Sequence, residues 1–422
     1  MAAPTIGTYT EAGASQSTAR RARACSALLC ECIIILRDTY SSTPGPIMLD
    51  TAQIHDREVE LHWRDGHTSV RLGLTWLRDH CPCAQCQHPE TRQRLAESVQ
   101  FSDDAAAPLI SIQDQGSRLR IEWDRGRHTS DFAAGFLAGL RADPDVLPVT
   151  HQTWERDYIN AMLPQVEFAA FTREDSVLKV LLEQVARLGF CFVEGVPATP
   201  EATQAVATRI AYIRETIFGG YWDFTANLEH KDTAYTSLAI GPHTDGTYTL
   251  DAPGYQMFHC LAAECTGGEN ILIDGFKVGE LMNRDYPAEY RLLTQVAIPG
   301  HYLDHARGIH LMARRPLFRL DESGALVQVS YNNHDRAPFI LPRARQPEFY
   351  RALARFATLC AEPMLQYRRR LLPGSMLIFD NWRVLHARDA YVGYRRLAGV
   401  YLNKEDVDSR LRFLRIQAGE AT

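Results

Sequence analysis

The chain has 422 residues, 45% hydrophobic and 23% charged, which is room for two or three domains and too apolar for disorder through most of its length. A net charge of −6 gives no summed positive potential, so a general phosphate-backbone binder is excluded. Ten cysteines are too few for a disulfide scaffold, and the crowding of Cys81, Cys83 and Cys86 suits a metal in a reducing, intracellular compartment.

In residues 1–47, Arg20, Arg21 and Arg23 among Ser and Ala match the basic face of an organelle transit peptide, whereas Glu11 and Glu31 fit a plain N-terminal extension. The two readings put the protein in the mitochondrial matrix or the cytoplasm. The apolar run Ala24 to Leu36, about 13 residues long, carries Glu31 and falls short of the roughly 20 needed to span a bilayer, so no membrane association is expected. Cys25, Cys30 and Cys32 within it have no histidine nearby and read as incidental. Thr43-Pro44-Gly45-Pro46 ends the segment, because two prolines in three residues cannot continue a helix.

Residues 48–145 read as a small β-rich domain. Val59, Leu61 and Trp63 alternate with polar residues, Asp65-Gly66 signals a hairpin, and Ser69 to Leu72 returns. The pattern then repeats: Trp63-Arg-Asp-Gly-His67-Thr-Ser resembles Trp123-Asp-Arg-Gly-Arg-His128-Thr-Ser, and each is followed by an apolar patch, Trp76-Leu77 or Phe136-Leu137. Between the hairpins lies Cys81-Pro-Cys83-Ala-Gln-Cys86. Three thiolates so close suit a structural Zn(II), with a redox dithiol as the alternative. His80, His88 and His128 are the candidates for a fourth ligand, and His128 crosslinks the most chain.

Residues 141–165 form a Pro- and Asp-bearing connector, with the boundary at Pro164, and a larger domain over 165–417 follows. Helical periodicity covers Ser176 to Leu188, Gly189 to Val193 reads as a buried strand, and Thr203 to Ile217 as a second helix. Short strand-like runs follow at Tyr255 to Leu261, Asn270 to Ile273, Leu326 to Tyr331, Met376 to Phe379 and Leu397 to Leu402. That layout predicts a mainly β, α+β domain: a double-stranded β-helix, or jelly roll, with flanking helices.

Within it, His243-Thr-Asp245 and the distant His386 form the pattern of two imidazoles and one carboxylate that leaves coordination positions open on Fe(II). Alternate residues of a strand share one side of a sheet, which would bring His243 and Asp245 together. Arg395 is placed to grip a carboxylate near the metal in a two-pronged bond, as the dicarboxylate co-substrate 2-oxoglutarate requires. Alone, Arg395 and Arg396 would also suit a solvated charged pair at a turn. Phe218, Tyr221, Trp222, Tyr235, Tyr248 and Tyr401 offer ring faces either for a quaternary ammonium or for filling the barrel.

Asp232-Thr-Ala-Tyr-Thr236, His243-Thr-Asp245, Thr266-Gly-Gly268, Ile273-Asp-Gly-Phe276, Tyr331-Asn-Asn333 and Phe379-Asp-Asn-Trp-Arg-Val-Leu-His386 resemble the trimethyllysine and γ-butyrobetaine dioxygenase family, over about residues 48–417. The resemblance implies an Fe(II)/2-oxoglutarate oxygenase behind a zinc-bearing module, with ascorbate as reductant, O2 as co-substrate and a homodimeric assembly. It implies iron ligands at His243, Asp245 and His386, the 2-oxoglutarate clamp at Arg395, and zinc ligands at Cys81, Cys83, Cys86 and His128. Trp222, Tyr235 and Tyr401 match a trimethylammonium cage, with Phe218 where relatives usually have Tyr. Asn270, near the co-substrate, stands where relatives commonly carry Thr or Ser.

Asp232 stands where the butyrobetaine enzymes tend to have Asn, and a carboxylate there attracts the α-ammonium of trimethyllysine and repels a lone carboxylate. Asn332 would hold the substrate's polar end in either case. Arg214-Glu-Thr-Ile-Phe-Gly219 and Asn333-His-Asp-Arg336 also look closer to the trimethyllysine enzymes, while the cysteine cluster leans the other way. The expected reaction is hydroxylation of trimethyllysine at C3. Its rivals are γ-butyrobetaine hydroxylation and a catalytically silent methyl-lysine-binding module; the acidic balance argues against nucleic acid as partner.

Overall fold

A computed structural model describes residues 47–64, 66, 69–97, 108–140, 151–224 and 236–419. The chain divides after Asp145 into two compact units. The segment read as a leader lies outside the described residues.

In the first unit, β1 (Leu49–His55), β2 (Glu58–Trp63) and β3 (Val70–Gly73) form one antiparallel sheet, and β4 (Leu109–Gln113), β5 (Arg118–Trp123) and β6 (His128–Ala133) form another. Each sheet runs into a short helix, Leu74–Asp79 or Ala134–Gly139. Period-two alternation sends Val59, Leu61 and Trp63 of β2 and Leu119, Ile121 and Trp123 of β5 inward. They share one core with Leu77 and Leu137 of the two helices. The repeat read in the sequence is therefore a repeated three-strand-and-helix unit, and neither copy could cover its apolar face alone.

Two sheets face each other in the second unit. The larger has the order β7 (Gln165–Glu167), β8 (Phe190–Glu194), β18 (Met376–Asp380), β11 (Tyr255–Gly267), β20 (Tyr391–Leu402) and β9 (Tyr221–Phe224). The smaller has the order β10 (Ile240–His243), β19 (Val384–Arg388), β12 (Asn270–Asp274) and β17 (Gln366–Arg369). Pairing is antiparallel except between β7 and β8. Alternation sorts each strand between two layers: Phe190 and Phe192, Leu377 and Phe379, Phe258 and Leu272 fill the space between the sheets. Cys191 and Val193, Met376 and Ile378, and Met257 face the helices outside the larger sheet. This is the expected jelly roll.

Helix Asp175–Leu188 buries Leu178, Leu181, Leu182 and Val185 against that outer layer, while Leu188 at its end joins the layer between the sheets. It ends at Gly189, whose φ of +87° and whose place 2.7 Å from Val384 Cγ2, measured from where a Cβ would stand, admit no side chain. β8 follows at once.

Several elements differ from the sequence expectation. The helix read over Thr203 to Ile217 spans Pro200–Ile210: Thr199 caps its start by accepting from Ala202 N at 3.2 Å. It stops early because Ile213 bridges to Leu402 and Arg214 N donates to Tyr401 O at 2.8 Å, so pairing to β20 overrides helical periodicity. β11 and β20 run well past the ends expected for them, because each is the other's partner along its whole length. β16 (Leu326–Val329) ends before Tyr331, which leaves to bond Thr244. The hairpin β13 (Ile298–Asp304) and β14 (Ile309–Arg315), and the short β15 (Phe318–Leu320), were not expected.

The connector also differs. Residues 151–164 pack into the second unit, where Trp154 is buried, donates Nε1 to Leu188 O at 2.6 Å, and gives its backbone N to Asp274. The division falls after Asp145 and not at Pro164.

Candidate active site

His243 closes β10 and pairs directly with His386 of β19, so strand register alone stacks the two imidazoles, with ring centroids 4.1 Å apart. Asp245 lies beyond the end of β10, so strand alternation does not place it. The clamp is Asn381, which accepts from Asp245 N at 2.8 Å and donates Nδ2 to Asp245 O at 3.0 Å and Pro253 O at 2.9 Å. The result holds His243 Nε2 at 3.4 Å and His386 Nε2 at 3.8 Å from the Asp245 carboxylate. One donor atom from each of the three residues lies within 4.8 Å of the other two.

His243 donates Nδ1 to Gly241 O at 2.9 Å, which fixes the tautomer that leaves the Nε2 lone pair for a metal. Burial, then the charge of His243, depresses the His386 imidazole to about 3, so it is neutral, as a ligand must be. Burial works against an ionised Asp245, but the two imidazoles and the Tyr401 hydroxyl hold its carboxyl well below the usual range. Tyr401 donates to Asp245 Oδ2 at 2.7 Å. This donor set, two imidazole nitrogens and one carboxylate against an open side, suits ferrous iron.

The open side faces a cavity of about 340 Å³. Arg395 enters it from β20, inside by alternation, while its neighbour Arg396 turns outward and pairs with Asp223 at 2.7 Å. Arg395 is 6% exposed and, among the described residues, makes no ion pair; its Nη2 donates to Asn270 Oδ1 at 3.3 Å. Sequence reasoning missed Arg388, a second buried guanidinium on the cavity wall, although it stands two residues past His386. Burial, then the charge of Arg395, lowers it to about 10. Two desolvated cations without a carboxylate call for an anion between them and the triad.

The rings surround this space unevenly. Tyr248, Phe258 and Tyr401 line it, together with Phe224 and Tyr302, which had not been singled out. Trp222 lies behind Tyr401, with ring centroids 5.4 Å apart, in a slot made by Gly399: a Cβ there would meet Trp222 Cη2 at 1.9 Å. Phe218 packs on Tyr302 with centroids 6.0 Å apart. Asn332 lines the cavity, as do His334 and Asp335 of the same loop. Asp232 and Tyr235 lie outside the described residues.

In the first unit, the turn carrying Cys81, Cys83 and Cys86 brings their sulfurs to 3.2, 3.7 and 3.6 Å from His128 Nε2. Of the three candidate histidines, His80 instead stacks on Trp76 at 3.9 Å, and His88 accepts backbone bonds from Glu90 and Thr91. Burial, then the charge of Arg78, lowers the His128 imidazole, which keeps its nitrogen lone pair available. Arg78 also donates to Cys86 Sγ at 3.4 Å. Three sulfurs and one nitrogen suit closed tetrahedral Zn(II).

The sequence profile of the taurine catabolism dioxygenase TauD, TfdA family matches residues 147–401, and that of the γ-butyrobetaine hydroxylase-like N-terminal family matches residues 51–138. Trimethyllysine dioxygenase of Meyerozyma guilliermondii is 35% identical over 378 residues, 85% of this chain and 94% of that protein. The mitochondrial trimethyllysine dioxygenase of Gallus gallus is 35% identical over 373 residues, 87% of this chain and 88% of that protein. γ-Butyrobetaine dioxygenase of a Pseudomonas species is 34% identical over 385 residues, 89% of this chain and 98% of that protein.

Proposed function

The chain belongs to the trimethyllysine and γ-butyrobetaine dioxygenase family of Fe(II)/2-oxoglutarate oxygenases, and from that premise we propose that it hydroxylates N6,N6,N6-trimethyl-L-lysine at C3. The products are 3-hydroxytrimethyllysine, succinate and CO2, and the reaction is the first step of carnitine biosynthesis. The observation that carries this reading is one cavity with the His243, Asp245 and His386 donor set on its wall and the buried, carboxylate-free Arg395 beside it.

His243, Asp245 and His386 would hold the iron. Iron and 2-oxoglutarate, when bound, supply the oxidising power that puts one oxygen atom of O2 into a C–H bond while the co-substrate leaves as succinate and CO2. The chain itself positions. Arg395, held by Asn270, takes the distal carboxylate of the co-substrate in a charge-assisted bond, and Arg388 adds positive potential at the same end. Tyr401 keeps Asp245 ionised and aimed. The rings around the cavity exclude water and offer their faces to a trimethylammonium, which cannot hydrogen-bond. Phe218 and Trp222 support that wall from behind, Tyr235 completes the cage, and Asp232 with Asn332 takes the amino-acid end.

Cys81, Cys83, Cys86 and His128 bind a structural zinc in this reading, ascorbate keeps the iron reduced, and the enzyme is a homodimer. Residues 1–47 serve as a leader to the mitochondrial matrix, a reading supported by the similarity to the mitochondrial enzyme of Gallus gallus. No helix among the described residues is long and apolar enough to cross a membrane.

The test is product analysis by mass spectrometry after incubating the protein with Fe(II), ascorbate, 2-oxoglutarate and either trimethyllysine or γ-butyrobetaine. Preferential hydroxylation of trimethyllysine is expected. Preference for γ-butyrobetaine moves the assignment to the other branch of the family, and binding of trimethyllysine without its hydroxylation makes the protein a reader.

A further inference from the structure

Two carboxylates among the described residues line the cavity, Asp245 and Asp335, and Asp245 belongs to the triad. Asp335 sits at the end of the cavity marked by Asn332. Asn332 donates Nδ2 to Asp335 Oδ2 at 2.8 Å and accepts from His334 N at 2.9 Å, so its amide has one orientation and keeps one Nδ2 hydrogen for an outside acceptor.

The loop carrying them is stitched on both sides. Thr244, between the first two triad residues, donates its backbone N to Tyr331 O at 2.7 Å and accepts from Tyr331 N at 3.0 Å. On the other side His301 N of β13 donates to Asp335 O at 2.8 Å, and Gly300 bridges to Arg336. Asp335 is thus fixed against the triad by backbone bonds that do not depend on its side chain.

We propose that Asp335 is a specificity-determining residue: its carboxylate pairs with the α-ammonium of the substrate while the Asn332 amide it orients meets the adjacent carboxylate. The proposal rests on the reading of this cavity as a trimethyllysine site. The cavity is then bipolar, with Arg388 and Arg395 drawing the dicarboxylate co-substrate and Asp335 drawing the ammonium of an amino acid. A substrate that ends in a carboxylate alone, as γ-butyrobetaine does, meets a like charge there. Asp335 contributes to the choice of substrate alongside the position of Asp232.

The test compares kcat/KM of the wild-type protein and Asp335→Asn on trimethyllysine, on its analogue without the α-amino group (6-trimethylammoniohexanoate) and on γ-butyrobetaine, following succinate. Asparagine keeps an acceptor for Asn332 and removes only the charge. The expected loss on trimethyllysine is roughly thirty-fold, with the deamino analogue changed by less than about threefold and γ-butyrobetaine turned over no worse than before. Asp335→Ser should give the same selective loss and stands in if the first variant does not fold. Equal losses on all three substrates would mean that Asp335 only props Asn332 or faces the trimethylammonium, and overturn the proposal, as would no loss on trimethyllysine. Wild-type protein that leaves trimethyllysine unconsumed sinks the reaction assignment instead, a result read without any variant.

Discussion

The first unit gathers three sulfurs and a nitrogen, the second two nitrogens and a carboxylate, and in each the donor atoms lie within 4.8 Å of one another. They differ in what lies around them. The thiol and imidazole set joins a turn just after helix Leu74–Asp79 to the first residue of β6, and its four donors are the number that fills a tetrahedral zinc site. The triad has three donors and opens onto the cavity that holds Arg395. A closed set can serve only the fold, whereas a set with open positions has room for reacting molecules. Removing a donor from the first should cost stability, and from the second should cost turnover.

The largest effect expected is that of Asp245→Ala. It deletes the one carboxylate donor and leaves two imidazoles, so iron binding and trimethyllysine-dependent succinate formation should fall to background, while the melting temperature changes little. Undiminished turnover in this variant would remove the triad from the chemistry. The counterpart is Cys86→Ser. A hydroxyl is a poor zinc ligand, and the binding energy of a structural zinc is folding energy. Zinc content should drop and the first unit should unfold at a lower temperature, read by calorimetry alongside metal analysis, with iron binding retained. If Cys86→Ser abolished iron binding and left the melting curve unmoved, the contrast between the two centres would be wrong.

Much of this contrast was legible in the residues themselves. Cysteine spacing is a local signal, and the choice of His128 followed from how much chain it closes. The triad was legible by residue type, but the reason expected for Asp245 was not the one found: β10 ends at His243, and the placement comes from Asn381, which nothing in the spacing marks as a clamp. The pairing of His243 with His386 is a matter of register between strands far apart in the chain. Tyr302 and Asp335 reach the cavity from the β13 hairpin and the loop after β16, whose positions depend on long-range packing that no short window contains. Helix Pro200–Ile210 shows the same effect in reverse, since its apolar period continues but sheet pairing ends it. Asp335 had one signal, the likeness of Asn333-His-Asp-Arg336 to the trimethyllysine enzymes.

A smaller effect sharpens the catalytic side. Tyr401 was expected to offer a ring face, and its hydroxyl also donates to Asp245 at 2.7 Å. Tyr401→Phe keeps the ring and removes the donor, so it separates the two duties. A lost hydrogen bond to a metal-ligating carboxylate typically costs about 10 to 100-fold in metal affinity or activity, and that range is expected here for the iron concentration giving half-maximal turnover. KM for trimethyllysine should stay within about threefold, because the face toward the trimethylammonium is unchanged. A large rise in KM with unchanged iron dependence would reverse the assignment and make the hydroxyl a substrate contact.

The smallest effect at neutral pH belongs to a third buried histidine, which has the burial of His386 without the triad. His259 is fully buried on β11 and its Nδ1 lies 2.8 Å from Thr203 Oγ1; burial depresses its imidazole from 6.5 to about 4. The folded state therefore resists the proton that the unfolded chain accepts below pH 6.5, and stability falls as the pH is lowered from about 6.5 to about 4, where the loss is complete. The full term is at most about 3 kcal/mol and vanishes at pH 7, since the two states then carry the same neutral ring. Denaturant melts of His259→Gln should show a flatter pH profile across that window than wild type, with iron binding intact at pH 7. An unchanged profile would mean that His259 titrates alike in both states, and that acid loss of the barrel must come from other groups.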